Sequence, residues 1–276
     1  MRPAVLAFLA TILFGLSSVA TDTGGEARIC HIANAGFWIT NGGKSVLVDA
    51  LLAEGLAGYA RPSKNLERAM EKGLAPFENV ALVIASHYHG DHFNAAATLR
   101  HMAANPNAHY VLPPQAFELL EKEGLKDSDR QRITHHMPPR SGAYSYQVAG
   151  ISFRTFYIDH GAGRPVQNIG VYIELAGQSF FHPGDMFTDA EALKKAGLDG
   201  LEVDYLMAPF WSLMGDQQQV ALEAGFEAGH IIPMHLPLKD QPWMKDYGGF
   251  DGLMKRVHAA LPGTLRLTGE MACVKF

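Results

Sequence analysis

Residues 86–92, Ser86-His87-Tyr88-His89-Gly90-Asp91-His92, place three imidazoles and a carboxylate directly after the apolar run Ala81-Leu82-Val83-Ile84-Ala85. Side chains two apart on an extended chain point the same way, so His87 and His89 are placed to grip one ion from one side. Gly90 permits a sharp turn that carries Asp91 and His92 toward a second position. Borderline divalent ions take imidazole nitrogen and carboxylate oxygen, and two neighbouring ions need two such sets.

A centre of two metals needs further ligands, and strand ends are where rigid elements deliver polar side chains into loops. Three residues occupy such places. His160 follows Tyr157-Ile158-Asp159, Asp185 follows Phe180-Phe181-His182-Pro183-Gly184, and His235 follows Ile231-Ile232-Pro233-Met234. His182, three residues ahead of Asp185, is assigned to supporting the ligands or to the pocket. Tyr88 and Phe93 beside the heptad, and Trp211 after the strand at 205–208, are candidate pocket walls for an apolar or ring-bearing substrate. No group of arginines near the ligands marks a phosphate pocket, although Arg140, Arg164 and Lys239 lie on nearby loops.

The elements that must position these groups read as follows. Residues 28–40 and 44–48 form two strands joined at Asn41-Gly42-Gly43, with Asp49 ending the second. A helix at 64–72 precedes the strand leading into the heptad, and Asn94 caps a helix over 95–104 whose N-terminus points back at the metal positions. A strand at 109–112 and a helix at 115–123 follow. Strands are expected at 144–148, 151–158, 171–175, 179–182, 205–208 and 231–234, helices at 190–196, 217–228 and 250–261, and a strand at the end. Both element types run throughout, which gives an α/β fold with mixed sheets packed on each other and helices outside.

The chain has 276 residues, 47% of them hydrophobic, enough for one large core. A single domain is expected over 21–276. The net charge of −5 comes with scattered Lys and Arg, which excludes a nucleic-acid footprint and a polybasic membrane patch and leaves a small-molecule substrate. Residues 1–20 carry Arg2, an apolar run from Ala4 to Leu16 and then Ser17-Ser18-Val19-Ala20. These are the parts of a signal peptide cleaved after Ala20, and the apolar run is short for a bilayer span. The mature protein is therefore expected to be periplasmic or secreted, without stable membrane insertion, and in an oxidising compartment Cys30 and Cys273 either pair or stay as two buried thiols. The sequence leaves the oligomeric state open.

With His160, Asp185 and His235 following the heptad in this order, the chain resembles the metallo-β-lactamase superfamily of metallohydrolases, from the first hairpin to His235. The resemblance implies a four-layer αβ/βα sandwich with the site at one edge of its sheets. It assigns His87, His89 and His160 to the first metal, Asp91, His92 and His235 to the second, and Asp185 to a bridge between them. Asp49 matches an aspartate that supports the site from behind. Two divalent ions are implied, zinc first, with manganese or iron also suited to the donors. Such ions lower the pKa of a shared water toward neutrality, and Asp91 is expected to orient that nucleophile and move its proton.

Asn168-Ile169-Gly170-Val171-Tyr172-Ile173-Glu174 followed by His182-Pro183-Gly184-Asp185 looks like the branch holding the ascorbate-phosphate lactonase and the N-acyl-phosphatidylethanolamine phospholipase D type enzymes. That branch implies lactone or phosphodiester substrates, and the expected reaction is metal-dependent hydrolysis of a lactone, ester or phosphodiester. The chain has Asp159-His160-Gly161 where the β-lactamases sharing this heptad carry Gly-His-Thr, and it has Asp185 where they lack a bridging aspartate. The competing readings are β-lactam hydrolysis, a mononuclear iron dioxygenase and a non-catalytic metal-binding protein.

Overall fold

The computed structural model describes residues 26–53, 56–161 and 163–276, so the expected signal peptide at 1–20 lies outside the described residues. The strands are β1 Arg28–Ala33, β2 Gly36–Thr40, β3 Ser45–Val48, β4 Val80–Ile84, β5 His109–Val111, β6 Ile133–Thr134, β7 Ala143–Val148, β8 Ile151–Asp159, β9 Gln167–Leu175, β10 Gln178–His182, β11 Leu201–Pro209, β12 Phe226–Met234 and β13 Ala272–Lys275. The α-helices are α1 Lys64–Lys72, α2 Ala95–Ala104, α3 Pro114–Glu123, α4 Ala190–Ala196, α5 Asp216–Gly225 and α6 Gly249–Ala260. One sheet runs β13-β1-β2-β3-β4-β5-β6 and the other β12-β11-β10-β9-β8-β7. Both are mixed: β3 to β6 pair parallel, as do β10 to β12, and the remaining neighbours are antiparallel.

Alternation along the strands builds the layers. Phe37 and Ile39 of β2, Val46 and Val48 of β3, and Leu82 and Ile84 of β4 meet Phe180 of β10 and Tyr205 and Met207 of β11 in one core between the sheets. The intervening Trp38, Leu47 and Val83 turn outward onto Met70 of α1, Met102 of α2 and Leu120 of α3. On the other sheet Phe181, Leu206 and Ala208 face Leu193 of α4, Leu222 of α5 and Val257 of α6. Strands buried on both faces read as continuous apolar runs, which is why the run at 81–85 carries no polar alternation. The result is the four-layer αβ/βα sandwich. Among the described residues no helix is long and apolar enough to cross a membrane.

The expected strand 28–40 divides in two. It turns at Asn34-Ala35, where Asn34 takes a left-handed φ of 49° and a side chain on Gly36 would meet the Asp49 carbonyl at 2.7 Å. Asparagine tolerates that conformation, and the apolar residues on both sides hide the turn from a reading by periodicity. The helix expected at 217–228 stops at Gly225, three residues before the predicted end, and Phe226 opens a strand. The strands expected at 171–175 and 205–208 are each nine residues long, and β6 with the preceding 3-10 segment Asp127–Arg132 carries no strong sequence signal.

Cys30 and Cys273 are directly opposed in the β1–β13 pairing and are bonded, resolving the two alternatives in favour of a disulfide. The bond joins residues 243 apart. Removing it through the paired Cys30→Ser and Cys273→Ser substitutions is expected to cost about 2–5 kcal/mol, a fall in Tm of roughly 5–15 °C for a chain of this size. Scanning calorimetry measures the fall, and thiol titration of the unreduced, unfolded wild type should find no free thiol.

Candidate metal centre

All seven expected ligands leave the carboxyl ends of strands at one end of the sandwich, where open α/β sheets characteristically bind ligands. The centre begins with Asp49, fully buried just past β3. Its Oδ1 accepts from the Ser86 N–H at 2.6 Å, and its Oδ2 accepts from the Ser86 hydroxyl at 2.6 Å and lies 2.7 Å from His92 Nδ1. The Ser86 hydroxyl proton is thereby committed, so at 3.0 Å the Ser86 oxygen accepts from His87 Nδ1–H. These partners fix which nitrogen faces the centre: His87 and His92 each turn Nε2 toward it. Asp49 thus stands where the sequence places it, behind the ligands.

Two turns deliver Asp185 and His235. Gly184, before Asp185, has φ 62°, and a side chain there would collide with Asn168 Oδ1 and the Ser86 Cβ. The buried Asn168 donates to the Pro183 carbonyl at 3.0 Å and accepts from the Asp185 N–H at 3.3 Å, which clamps that turn. His182 is also fully buried: it lies 2.8 Å from the Ala35 carbonyl through Nε2, and its Nδ1 accepts from the Gly184 N–H at 3.2 Å. It supports the Asp185 turn and does not line the cavity that opens on the ligands. His235 follows β12 at φ 55° with its N–H on the Asn34 carbonyl at 3.0 Å, while the Asn34 side chain donates to the Asp91 carbonyl at 3.1 Å and to Asp91 Oδ2 at 3.2 Å.

Two ligand sets result, His87 with His89, His160 and Asp185, and Asp91 with His92 and His235, each with its donor atoms within 4.8 Å of one another. Asp185 touches both. Its Oδ2 lies 3.3 Å from His160 Nε2 and 3.8 Å from His87 Nε2, and its Oδ1 lies 3.0 Å from His92 Nε2 and 3.5 Å from His235 Nε2. Asp91 Oδ2 is 3.0 Å from His235 Nε2 and 3.5 Å from His92 Nε2.

The electrostatics of this cluster call for cations. Burial opposes a charge on His92, but Asp185 and then Asp49 outweigh it and hold the ring's pKa well above the usual value. Burial raises Asp91, and the His235 hydrogen bond with the nearby His92 ring reverses that and holds it well below the usual carboxylate range. Asp185 is pushed up by burial and carried well below by His92 and His160. His87 is driven well below the imidazole value by burial and then by His92. Nε2 of His92, Nε2 of His160 and Oδ1 of Asp185 are buried without hydrogen-bond partners. Each such orphan costs about 1–3 kcal/mol, and divalent ions between the rings and carboxylates would satisfy all three. The all-nitrogen-and-oxygen donor set fits zinc, manganese or iron.

A cavity of about 510 Å³ opens on the ligands, lined by Tyr59, Gly161, Arg164, Met186, Phe187 and Trp211 together with His160, Asp185 and His235. Trp211 of the expected walls is there, its ring 4.9 Å from that of His235 and its Nε1–H donating to the Met186 carbonyl at 3.0 Å. Phe93 is not: it packs into the core between α2 and its sheet, because the turn after Gly90 aims it inward. Tyr88 leans on the same core and on the His89 ring, and does not line the cavity. Sequence reasoning missed Asn34, Asn168, Tyr59 and Phe187, of which Asn34 had a readable signal as an asparagine before Ala-Gly inside an apolar stretch.

Two facing mixed sheets with histidine and aspartate side chains able to hold metal gathered at their strand ends define an αββα metallo-β-lactamase-type protein. The sequence profile of the β-lactamase superfamily domain matches residues 44–236, and the chain belongs to that superfamily. No curated protein matches its sequence. Three solved structures are similar in fold. Igni18, a metallo hydrolase from Ignicoccus hospitalis, is 16% identical with a TM-score of 0.60, covering 91% of this chain and 99% of its own. The isothiocyanate hydrolase from Delia radicum gut bacteria is 15% identical at 0.57, covering 90% and 99%. CmlA, a diiron β-hydroxylase from Streptomyces venezuelae, is 13% identical at 0.57, covering 91% of this chain and 54% of its own.

Asp49→Asn removes the charge that fixes His92 and exchanges one acceptor oxygen for a donor facing Ser86. The variant is expected to stay folded and to bind zinc about 10–100-fold more weakly, as measured by competition with a chromophoric chelator.

Proposed function

We propose that the chain is an exported metal-dependent hydrolase that cleaves an ester, lactone or phosphodiester with two divalent ions. One observation carries this reading: Asp185 reaches donor atoms of both ligand sets, so a single carboxylate joins two adjacent positions. His87, His89 and His160 would hold one ion, Asp91, His92 and His235 the other, and Asp185 both. Two bound ions would supply a water nucleophile at ordinary pH and a positive contact for the oxygen that gains charge in the transition state. Asp91 is kept ionised by His235 and His92 and held by Asn34, so its carboxylate is placed to orient the attacking water through a hydrogen bond. Tyr59, Phe187 and Trp211 line the cavity in which the bond under attack would lie. Export is supported by the composition of residues 1–20 and by the Cys30–Cys273 disulfide, a bond typical of oxidising compartments.

The zinc- or manganese-loaded protein is to be assayed against a lactone, a phosphodiester, a simple ester and a cephalosporin, with metal analysis of the same sample. Turnover of one of the first three, lost to a chelator and restored by metal, with two ions per chain, is the expected result. The similarity to a diiron hydroxylase sets the opposing outcome: iron in the site, oxygen consumption and no turnover on any of the panel would overturn hydrolysis. Asp91→Asn, assayed at saturating metal, is expected to keep its fold by circular dichroism and to lose about 10²–10⁴-fold in kcat.

A further inference from the structure

The lining of the metal cavity is uneven in its chemistry. Tyr59, Phe187 and Trp211 contribute rings and Met186 a thioether, and Arg164 is its one Lys or Arg side chain. The three basic residues on loops near the ligands part company in the fold. Arg140 stands 3.8 Å from Asp159 and lies over the Tyr157 ring at 4.4 Å. Lys239 lies over Phe250 at 5.5 Å and lines a separate cavity of about 140 Å³. Arg164 lines the metal cavity and has no ion-pair partner among the described residues. Its backbone N–H donates to the Gly161 carbonyl at 3.3 Å, and its side chain folds back over that glycine, where an added Cβ would lie 3.4 Å from Cδ and 3.5 Å from Nε. Gly161 directly follows the ligand His160, so the guanidinium stem lies along the ligand turn.

We propose that this cavity selects a small amphiphilic anion: a compound whose aromatic or branched apolar body packs on Tyr59, Phe187 and Trp211, and whose carboxylate, remote from the scissile bond, is held by Arg164. A guanidinium matches a carboxylate with two parallel hydrogen bonds, and the aromatic walls favour a flat or branched body over a sugar or a peptide backbone. Two dications set against the carboxylates of Asp91 and Asp185 leave the centre cationic, which adds to the preference for an anion. The position of the scissile bond rests on the hydrolase reading; the recognition of the anion does not.

Monophenyl glutarate and phenyl valerate have acyl chains of equal length ending in a carboxylate or a methyl group. In both, hydrolysis joins the water oxygen to the acyl carbon, breaks the acyl carbon–oxygen bond and releases phenol, which takes the proton. The zinc-loaded wild type is expected to favour monophenyl glutarate at least 10-fold in kcat/KM at fixed ionic strength. Arg164→Gln should cut that ratio about 10-fold, mainly through KM for the anionic ester, and Arg140→Gln should leave it unchanged. Calorimetric binding of 4-phenylbutyrate against 4-phenylbutyramide reads the same preference without turnover, and the preference should disappear in Arg164→Gln. A preference that survives in Arg164→Gln assigns anion recognition to the metal centre alone and overturns the proposal, as does equal treatment of the paired compounds by the wild type. If neither ester is turned over while calorimetry shows the Arg164-dependent preference, this inference stands, and the panel assay above decides the hydrolase reading separately.

Discussion

The Asp49 carboxylate is withdrawn completely from water at the end of β3, and an ion in that position is tolerable only because each of its oxygens is claimed. The donors that claim it are the Ser86 N–H, the Ser86 hydroxyl and His92 Nδ1. One buried charge therefore ties the end of one strand to the loop that leaves its parallel neighbour, and in the same step sets the protonation of His92 and, through Ser86, of His87. Two ligands receive their orientation from a residue that touches no substrate and is assigned no metal. The ligand loop needs no long rigid element of its own, since its geometry is fixed from behind.

Two left-handed non-glycine residues stand at the same end of the molecule. Asp49 and His235 both adopt left-handed conformations, with φ of 47° and 55°, although neither is glycine. Such conformations cost on the order of 1 kcal/mol or more for residues with a side chain, and they persist where surrounding bonds over-determine them. Asp49 is held by its N–H on the Ile84 carbonyl and by its carboxylate, and His235 by its N–H on the Asn34 carbonyl. In each case the unusual backbone turns the side chain at a strand end into the space between the sheets' ends. The Ile169 N–H on the Ser86 carbonyl then stitches the second sheet to the heptad, so the ligand sets from the two sheets keep one register.

Legibility in the sequence followed how local each constraint is. The helices at 64–72, 95–104 and 190–196 were readable to the residue, because a side-chain cap opens each and a helix end is a short-range event: Ser63, Asn94 and Asp189 all accept from the N–H three residues on. The heptad was readable because its residues are contiguous, and His160, Asp185 and His235 because each ends an apolar run. The direction of a side chain after a turn is set by tertiary packing, and that is why Phe93 was assigned to the cavity and is found in the core, while Tyr59 and Phe187 were passed over. The same limit hid the turn at Asn34, whose purpose is visible only once Asp91 and His235 stand beside it.

Asn34 also connects the rim of the sandwich to its chemistry. It terminates β1, the strand to which the Cys30–Cys273 bond fastens β13, and from that place it braces Asp91 through its side chain and His235 through its carbonyl. β13 is an edge strand of four residues, the kind of element that frays first when nothing holds it. Fraying there would expose β1 and loosen the residue on which one ligand set depends. A covalent link at the edge therefore bears on the metal centre as well as on global stability, because β1 has its outer neighbour fixed in register and its end fixed against Asp91.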